Sequence, residues 1–315
     1  MLQNNQRINS YTKRQENKLI CINSLINKMR KNIINTAISR IRTGPETIIM
    51  VPDIARGGNW LYEWMRAELY TNKNQAPAFL IHTPGMEGWL DEFPNLDKYT
   101  RPASARRFKS LRAAGFGQDI EGLFSHSDLK NFIENNLLSL SFERRRAKAK
   151  QLVNINTLVI NVRRGDYYTS PTIHKMFGID TVTYIRTAIA QAIEINIPSN
   201  IVVVSDDLKW CRQNLSFLSD VAPTQFDKFG EDMFDDLALL SVAHRLILTN
   251  TTFGYWGAYI ANINYDAEIY APSQHQDTRS SSYHMRKIPM QHQHNWVQIN
   301  PPHGWTSWLE TDKPE

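Results

Sequence analysis

The chain has 315 residues, of which 42% are hydrophobic and 21% charged, and its formal net charge is +5. These values are typical of a folded globular protein of about two domains and exclude a mostly disordered chain. No stretch approaches the roughly 18 consecutive apolar residues of a transmembrane helix, and the polar first 15 residues do not resemble a secretory signal peptide.

The positive charge is concentrated in residues 1–45. This segment holds nine basic residues and one acid, Glu16, so it carries +8 and the remaining 270 residues sum to −3. Apolar residues from Leu19 to Ile41 recur at spacings of three and four, which predicts a basic amphipathic helix. Such a helix either packs on the protein with a solvated basic face or lies on an anionic membrane surface. The acidic remainder argues against nucleic-acid binding.

Residues 46–150 form the predicted N-terminal domain. Its predicted elements are a strand at 47–51, a glycine turn at 56–59, a helix at 60–70, a strand at 78–82, loops and short helices at 84–120 and a helix at 127–150. The last helix ends in a basic run at 144–150. That run either contacts phosphate or is a solvated helix end.

Residues 151–315 form the predicted C-terminal domain, in which strands and helices alternate. Strands are predicted at 157–162, 200–205, 244–249 and 267–271, and helices at 181–196, 207–215, 232–243 and 255–262. Continuous β-branched strands between helices are typical of a buried parallel sheet. Because such sheets bind ligands at the carboxyl ends of their strands, we expect the site at that edge of the sheet.

Two adjacent arginines, Arg163 and Arg164, follow the strand at 157–162 and precede Gly165 and Asp166. Arginine is the side chain best suited to bidentate phosphate contacts, and Asp166 is placed to orient one of them. The alternative is an internal ion pair in a turn. Because successive side chains of an extended chain point to opposite sides, one arginine is expected to face the ligand site and the other the scaffold.

Polar residues follow two further strands. Ser205, Asp206 and Asp207 end the strand at 200–205 and open a helix, where they either cap it or accept hydrogen bonds from a guanine base or ribose. Thr251 and Thr252 lie where a helix N terminus would present free N–H groups, an arrangement that binds phosphate. Capping and phosphate binding are compatible at that position.

Taken together, these segments resemble glycosyltransferase family 11, the α-1,2-fucosyltransferase-like enzymes. The family motif His-x-Arg-Arg-Gly-Asp-Tyr is matched by 161–167, its Ser-Asp-Asp segment by 205–211, its long block ending in Trp-Gly-Ala by 240–258, and its N-terminal glycine signature by 57–62. Asn161 replaces the motif histidine, Gly254-Tyr255 replaces Ser-Trp, and the glycine loop is one residue short.

The resemblance implies a GT-B-like α/β fold in which two Rossmann-like domains face a cleft, here with the N-terminal basic arm in addition. It implies an inverting transfer of fucose from GDP-fucose, a donor substrate, to the 2-OH of galactose in a glycan, with no metal and no cofactor. Arg163 would be catalytic. The other residues implied at the donor are Gly57, Gly58, Asn59, Arg164, Asp166, Ser205, Asp206, Asp207, His244, Asn250, Thr251, Thr252 and Phe253.

The alternatives are a non-catalytic nucleotide-sugar-binding protein and a transferase that uses another GDP-sugar. An acceptor base would come from the N-terminal domain, where the candidates are Asp53, Glu63, His82, Glu87, Asp91 and Glu92. The two cysteines, Cys21 and Cys211, are too few for a disulfide framework or a zinc site. We therefore expect reduced thiols and a cytoplasmic protein, either free or peripheral on the inner face of the membrane.

Overall fold

The computed structural model describes residues 38, 41–53, 55–114, 124–273, 275 and 295–300. The helix predicted for the N-terminal arm falls almost wholly outside the described residues, as does Cys21, so these stay predictions. Cys211 is buried and unpaired. None of the helices in the described ranges is long and apolar enough to cross a membrane.

The first unit is built on a four-stranded parallel sheet. Its strands are β1 (Thr47–Met50), β2 (Ala78–Ile81), β3 (Thr100–Arg101) and β4 (Leu111–Ala114), in the spatial order β3-β2-β1-β4. Helix α1 (Gly58–Asn74) connects β1 to β2, and α2 (Glu87–Glu92) is followed by 3₁₀ turns at Pro94–Tyr99 and Ala103–Ala105. Strands β3 and β4 lie where loops and short helices were predicted, because short edge strands lack a clear apolar pattern.

The helix predicted over 127–150 is two helices, α3 (His126–Asn136) and α4 (Leu140–Ala149). Each has its own serine N-cap. Ser125 accepts a hydrogen bond from the Asp128 amide in a capping box, and Ser139 accepts one from the Phe142 amide. The cap at Ser139, three residues after the end of α3, starts α4 as a new helix.

The second unit is built on a six-stranded parallel sheet. Its strands are β5 (Thr157–Val162), β6 (Asn200–Ser205), β7 (Thr224–Gln225), β8 (Arg245–Leu248), β9 (Glu268–Pro272) and β10 (Val297–Ile299), in the spatial order β7-β6-β5-β8-β9-β10. This is the doubly wound order of a Rossmann fold, whose switch point lies between the first strand and the fourth, here β5 and β8. The predicted pair of Rossmann-like units is confirmed.

Helices cover both faces of this second sheet. They are α5 (Gly165–Thr169), α6 (Pro171–Phe177), α7 (Thr181–Ile195), α8 (Leu208–Asn214), α9 (Met233–Ser241) and α10 (Thr252–Tyr265), with a 3₁₀ turn at Ser216–Asp220. The sequence predicted α7 to α10 to within three residues at each end. Short helices α5 and α6 were not predicted, because five and seven residues are too few to show a helical period.

The two units share one hydrophobic core. Tyr62 of α1 packs on Trp256 of α10 with ring centroids 4.9 Å apart, and Trp89 of α2 packs edge-on against Phe234 of α9 at 5.1 Å. The same cluster continues from β1 through α4 into β8 and α10. A continuous apolar interface of this kind opposes relative motion of the units. It therefore fixes the geometry of the cleft between them.

Candidate active site

A cavity of about 520 Å³ opens between the carboxyl ends of the two sheets. The first unit contributes the loops after β1 and β2, and the second contributes the ends of β5, β6 and β8. The residues that line it are Arg56, Gly57, Gly58, Asn59, Trp60, Gly85, Trp89, Asn161, Val162, Arg163, Asp166, Tyr167, Val204, Ser205, Asp206, Met233, Asp236, Thr251, Thr252 and Phe253. Most of the positions expected from sequence therefore meet in one place.

Arg163 is held in this cavity by two carboxylates. Its Nη1 lies 2.8 Å from Asp206 Oδ2, and its Nη2 donates to Asp166 Oδ1 at 2.5 Å. Its backbone N–H donates to Thr249 Oγ1 at 2.9 Å, which ties the end of β5 to the end of β8. Burial disfavours its charge, but the two carboxylates outweigh burial and hold the pKa of Arg163 above its ordinary value. Arg163 is thus a fixed, permanently charged group in the cleft.

Arg164 points away from the cavity. Its guanidinium lies between two rings, 3.4 Å from the centroid of Tyr168 and 3.7 Å from that of Trp210. Its backbone N–H donates to Asp206 Oδ1 at 2.8 Å. Adjacent arginines therefore have the opposite orientations that an extended chain predicts, with Arg163 in the cleft and Arg164 in the scaffold.

Two helix N termini converge on the cavity beside Arg163. Helix α1 begins at Gly58 and α10 at Thr252, and a Cβ atom on Gly58 would lie 2.7 Å from the Thr252 carbonyl carbon. Glycine is required there because the two backbones touch. Trp256 Nε1 donates to Gly58 O at 2.8 Å and holds the helices together. The N-terminal ends of both helix dipoles, which favour anions, therefore point into one site.

Thr251 occupies the N-cap position of α10, and its side chain makes no capping hydrogen bond. Since the first-turn amides of a helix have no partner within the helix, those of α10 can donate to a ligand. Thr251, Thr252 and Phe253 are packed around this turn and line the cavity. Gly57, just before α1, has a positive φ of 45°, which favours glycine.

A smaller pocket of about 330 Å³ adjoins the main cavity at the end of β6. Ser205, Asp206, Met233 and Asp236 line both spaces. Burial, opposed by Lys228 and assisted by Asp235 and Asp232, raises the pKa of Asp236 to about 7. Asp207 serves α8 instead, where its carboxylate accepts a hydrogen bond from the Trp210 amide at 2.9 Å.

Besides Arg164 and Asp207, two more residues implied at the donor lie outside the cavity lining. His244 precedes β8, at the amino edge of the sheet, and its ring packs 4.7 Å from that of Tyr265. The carboxyl edge, where the cavity lies, is at the other end of that strand, so the structure does not bring His244 to the site. Asn250 is buried, and its side-chain amide donates to Phe177 O at 2.6 Å and His275 O at 2.9 Å. Asn250 therefore stabilises the loop after β8 through hydrogen bonds to Phe177 and His275, outside the cavity lining.

Residues 95–300 match the family model of glycosyl transferase family 11. The chain belongs to glycosyl transferase family 11. The match covers the whole of the second unit's described part and the end of the first, and the glycine turn at 57–59 precedes it.

Similar proteins are found in bacteria and in mammals. The chain is 31% identical over 149 residues to the O-antigen biosynthesis glycosyltransferase WbnK of Escherichia coli, covering 45% of this chain and 48% of the relative. It is 27% identical over 221 residues to galactoside alpha-(1,2)-fucosyltransferase 1 of Bos taurus (68% and 52%), and 25% identical over 210 residues to alpha-1,2-colitosyltransferase of Escherichia coli (61% and 66%). The chain spans about half the length of the first two of these relatives.

Among solved structures, the chain is similar to NodZ alpha-1,6-fucosyltransferase soaked with GDP-fucose. The identity is 12% and the TM-score 0.42, over 69% of this chain and 93% of that one. A likeness at this level carries no functional conclusion. Assignment to family 11 rests on the family match.

Two departures from the family 11 pattern touch each other. The side-chain amide of Asn161, in place of the motif histidine, is buried at the end of β5. A Cβ atom on Gly254 would lie 2.3 Å from Asn161 Oδ1. Within the described part of the chain, Asn161 Oδ1 has no hydrogen-bond partner, and neither has Asn59 Oδ1 across the cavity.

The candidate acceptor bases of the first unit lie outside the cavity lining. Glu63 is fully buried and pairs with Arg66 at 3.3 Å, and burial raises the pKa of Glu63 to about 7. Glu92 is buried and pairs with Arg145. Asp53, Glu87 and Asp91 are exposed. His82 is half-buried, and its Nε2 atom lies 3.6 Å from Glu87 Oε1.

The basic run at 144–150 does not reach the cavity lining. Arg145 instead joins the two units: its guanidinium lies 3.2 Å from Glu92 Oε2, 3.0 Å from Asp232 Oδ2 and 2.7 Å from Asp235 Oδ1. Asp232 caps α9, whose first turn carries Met233 and Asp236 into the cavity. The run is therefore structural at Arg145 and exposed at Arg144 and Lys148.

Sequence reasoning missed several residues of the cavity. Trp60 and Trp89 form its first-unit wall, and Arg56 places a second guanidinium there, donating to Asp53 O and Ala55 O at 2.7 Å each. The position of Arg56, directly before the glycine turn, was the available signal. Asp236 lay within the third motif but looked like an ordinary residue of a helix. No group of three or more His, Cys, Asp or Glu side chains in the described ranges is arranged to hold a metal ion.

Proposed function

We propose that this family 11 glycosyltransferase transfers fucose from GDP-fucose to a hydroxyl of a glycan acceptor, the 2-OH of galactose, with inversion at the anomeric carbon. The observation that carries the proposal is the position of Arg163. A guanidinium fixed by Asp166 and Asp206 lies beside two converging helix N termini. This combination suits a pyrophosphate, which carries several negative charges and needs several donors.

The same groups supply the catalysis that transfer requires. When the sugar departs from the nucleotide, negative charge develops on the β-phosphate. Arg163 and the first-turn amides of α10 are already in place to stabilise that charge, so no reorganisation is needed during the reaction. Because these groups provide positive potential from the chain itself, we propose a metal-independent reaction. The acceptor hydroxyl attacks the anomeric carbon from the face opposite the departing GDP.

The smaller pocket at the end of β6 is chemically suited to binding a guanine base. Guanine presents two adjacent N–H donors on one edge, and an ionised carboxylate is their natural acceptor. Asp236 lines this pocket and Lys228 is close by for the base carbonyl. Uracil has no such edge of two adjacent donors, so the carboxylate favours GDP over UDP.

The sugar is the less constrained part of the donor. Relatives of this chain are named for fucose and for colitose transfer. A transferase that uses another GDP-sugar is therefore the second candidate, and it uses the same phosphate and base contacts.

The experiment is a thermal-shift comparison of GDP, UDP and CMP, followed by a transfer assay. A nucleotide present at 100 times its dissociation constant stabilises the fold by about 2.7 kcal/mol. We expect GDP to stabilise the protein and UDP not to do so. Transfer from GDP-fucose to a galactoside in the presence of EDTA would support the full proposal.

Different results would point elsewhere. Transfer from a different GDP-sugar, with none from GDP-fucose, would mean that the donor sugar is not fucose. Binding of GDP without release of GDP from any donor and acceptor pair would indicate a binding protein. Stabilisation by UDP but not GDP would contradict the proposed base site.

A further inference from the structure

An exposed aromatic ring flanked by basic residues lies on the first unit, away from the cleft. The segment 101–112, which runs from β3 to β4, contains five basic residues and no acid. Phe108 lies in the middle of Arg106-Arg107-Phe108-Lys109 and is 61% exposed. At 61% exposure the Phe108 ring contributes little apolar burial to the fold, and together with the basic residues beside it the ring offers a surface for a binding partner.

Two further exposed apolar side chains lie on the backbone segments next to Phe108. The chain at 41–46 runs beside the segment: Gly44 N–H donates to Lys109 O at 2.9 Å, and Leu111 N–H donates to Glu46 O at 2.9 Å. Ile41 is 52% exposed and Leu111 is 42% exposed. We call Ile41, Arg106, Arg107, Phe108, Lys109 and Leu111 the Phe108 surface.

The positive charge of the Phe108 surface is not neutralised within the described part of the chain. No ion pair there engages Arg106, Arg107 or Lys109. Arg112 donates to the backbone carbonyls of Ser110, Leu111 and Arg107, so it stiffens the loop. Burial, with Arg42 and Arg106 nearby, lowers the pKa of Arg112 although Glu46 acts in the opposite direction. Like charges crowd here, which an anionic partner would relieve.

We propose that the Phe108 surface docks on an anionic lipid bilayer. Arg106, Arg107 and Lys109 would contact lipid phosphates, and the Phe108 ring would enter the boundary between headgroups and acyl chains. Aliphatic Ile41 and Leu111 on the same surface favour lipid over nucleic acid, whose phosphates and bases offer them no apolar region. Docking here is independent of the proposed transferase function.

Charge disfavours the other obvious occupants. Residues 1–37 carry seven basic residues and one acid, so this segment would bring positive charge onto a positive surface. A second copy of the chain packed symmetrically would do the same. The partner that complements the surface is negative, extended and apolar beneath its charged layer.

The location of the Phe108 surface leaves the cleft accessible. Glu46, Ser110 and Leu111 lie at the starts of β1 and β4, which is the amino edge of the first sheet. The cavity with Arg163 lies at the carboxyl edge. Docking through the amino edge would therefore turn the cleft away from the bilayer plane and keep it open to donor and acceptor.

The test is cosedimentation of the full chain with vesicles of neutral phosphatidylcholine or of phosphatidylcholine with 30% phosphatidylglycerol, taken as about the charge of an anionic membrane. The variants are Arg106→Ala/Arg107→Ala and Phe108→Ser. The matched control is Arg144→Ala/Lys148→Ala, which removes the same charge from exposed positions on α4.

We expect binding to the anionic vesicles only. The Arg106→Ala/Arg107→Ala variant should lose about 30-fold in partition, because each basic residue near an anionic surface contributes about 1 kcal/mol and about 1.4 kcal/mol is tenfold. Phe108→Ser should also bind more weakly, and the control should bind like the wild type. All variants should keep the wild-type melting temperature, since the altered side chains are exposed.

Three results would overturn the proposal. Equal losses in the control and in the Arg106→Ala/Arg107→Ala variant would mean that net charge alone drives binding. Unchanged binding of both test variants would remove the Phe108 surface from the contact. Retained vesicle binding, together with lost binding to a short DNA duplex in the test variants, would reassign the surface to nucleic acid.

Discussion

Asn161 Oδ1 occupies the space that a side chain on Gly254 would need, since a Cβ atom there would lie 2.3 Å away. Both residues are departures from the family 11 pattern, asparagine for histidine and glycine for serine. Their contact makes them one coupled change: the amide of Asn161 fits at the end of β5 because α10 has no side chain at Gly254. The first turn of α10 can therefore approach β5 and present its amides to the cleft.

Gly254→Ser should weaken both folding and GDP binding. The serine Cβ cannot coexist with Asn161 Oδ1, so α10 or the asparagine must shift, at a cost of about 1–3 kcal/mol in the free energy of unfolding. Adding Asn161→Ala removes the obstructing oxygen and should recover part of that loss. The measurement is a double-mutant cycle in urea unfolding and in GDP affinity.

The control for this cycle is Gly88→Ser. A Cβ atom on Gly88 meets only Phe234 Cε2, at 3.8 Å, which is an ordinary contact. This exposed position should therefore accept serine with little effect. Strictly additive effects of Gly254→Ser and Asn161→Ala would show that the two residues are not coupled.

Arg163→Ala should abolish most transfer while leaving the fold intact. Loss of this charge-assisted contact in the transition state costs about 3–4 kcal/mol, which lowers kcat by roughly 10²–10³. Arg163→Lys keeps the charge but not the forked geometry and should recover only part of the rate. The assay is steady-state transfer from GDP-fucose, with melting temperature measured in parallel.

Arg164→Ala is the matched control for Arg163→Ala. Its guanidinium lies between the rings of Tyr168 and Trp210, so its loss should lower the melting temperature and affect kcat less. Near-normal turnover by a folded Arg163→Ala protein would contradict its catalytic assignment.

Asp236 should make stability and GDP binding depend on pH in opposite directions. Its pKa is about 7 in the folded protein, against an ordinary value of 3.8. Between these values the folded state holds a proton that the unfolded chain releases, so the free energy of unfolding falls as pH rises from 4 to 7. GDP affinity should rise over the upper part of this range, because only the ionised carboxylate would accept the guanine N–H groups in the proposed base site.

Asp236→Asn should remove the pH dependence that Asp236 contributes to the free energy of unfolding and to GDP affinity. It should also weaken GDP binding. The measurements are urea unfolding and GDP calorimetry at several pH values, with Asp220→Asn at an exposed position as the control. A GDP affinity that keeps its pH dependence in Asp236→Asn would assign the titration to another group.

Arg145→Met should loosen the junction between the two units. It leaves Glu92, Asp232 and Asp235 without their shared cation, and unpaired carboxylates at partly buried positions cost about 3 kcal/mol. Because Asp232 caps α9, GDP binding should weaken more than kcat falls. The measurements are unfolding free energy, GDP affinity and kcat.

Arg144→Met, at the exposed neighbouring position, should leave all three quantities near wild type. Equal changes in GDP affinity for the two variants would show that Arg145 does not position α9.

The sequence by itself determined the second unit well. Buried parallel strands such as β5 and β6 are continuous apolar runs, and their polar ends mark the carboxyl edge without any knowledge of packing. That is why Arg163, Ser205 and Thr251 could be predicted to meet. The opposite orientations of Arg163 and Arg164 follow from the alternation of an extended chain alone.

Tertiary structure decided what local patterns do not encode. The edge strands β3 and β4 have no periodic signal, and the division between α3 and α4 depends on a single serine cap. His244 and Asn250 belong to the same motif as Thr251, yet strand direction puts His244 at the far edge and packing turns Asn250 inward. Long-range contacts join segments that are 90 or more residues apart in the sequence, as between Gly58 and Thr252, Asn161 and Gly254, and Arg145 and Asp235. Only the folded chain brings these residues together.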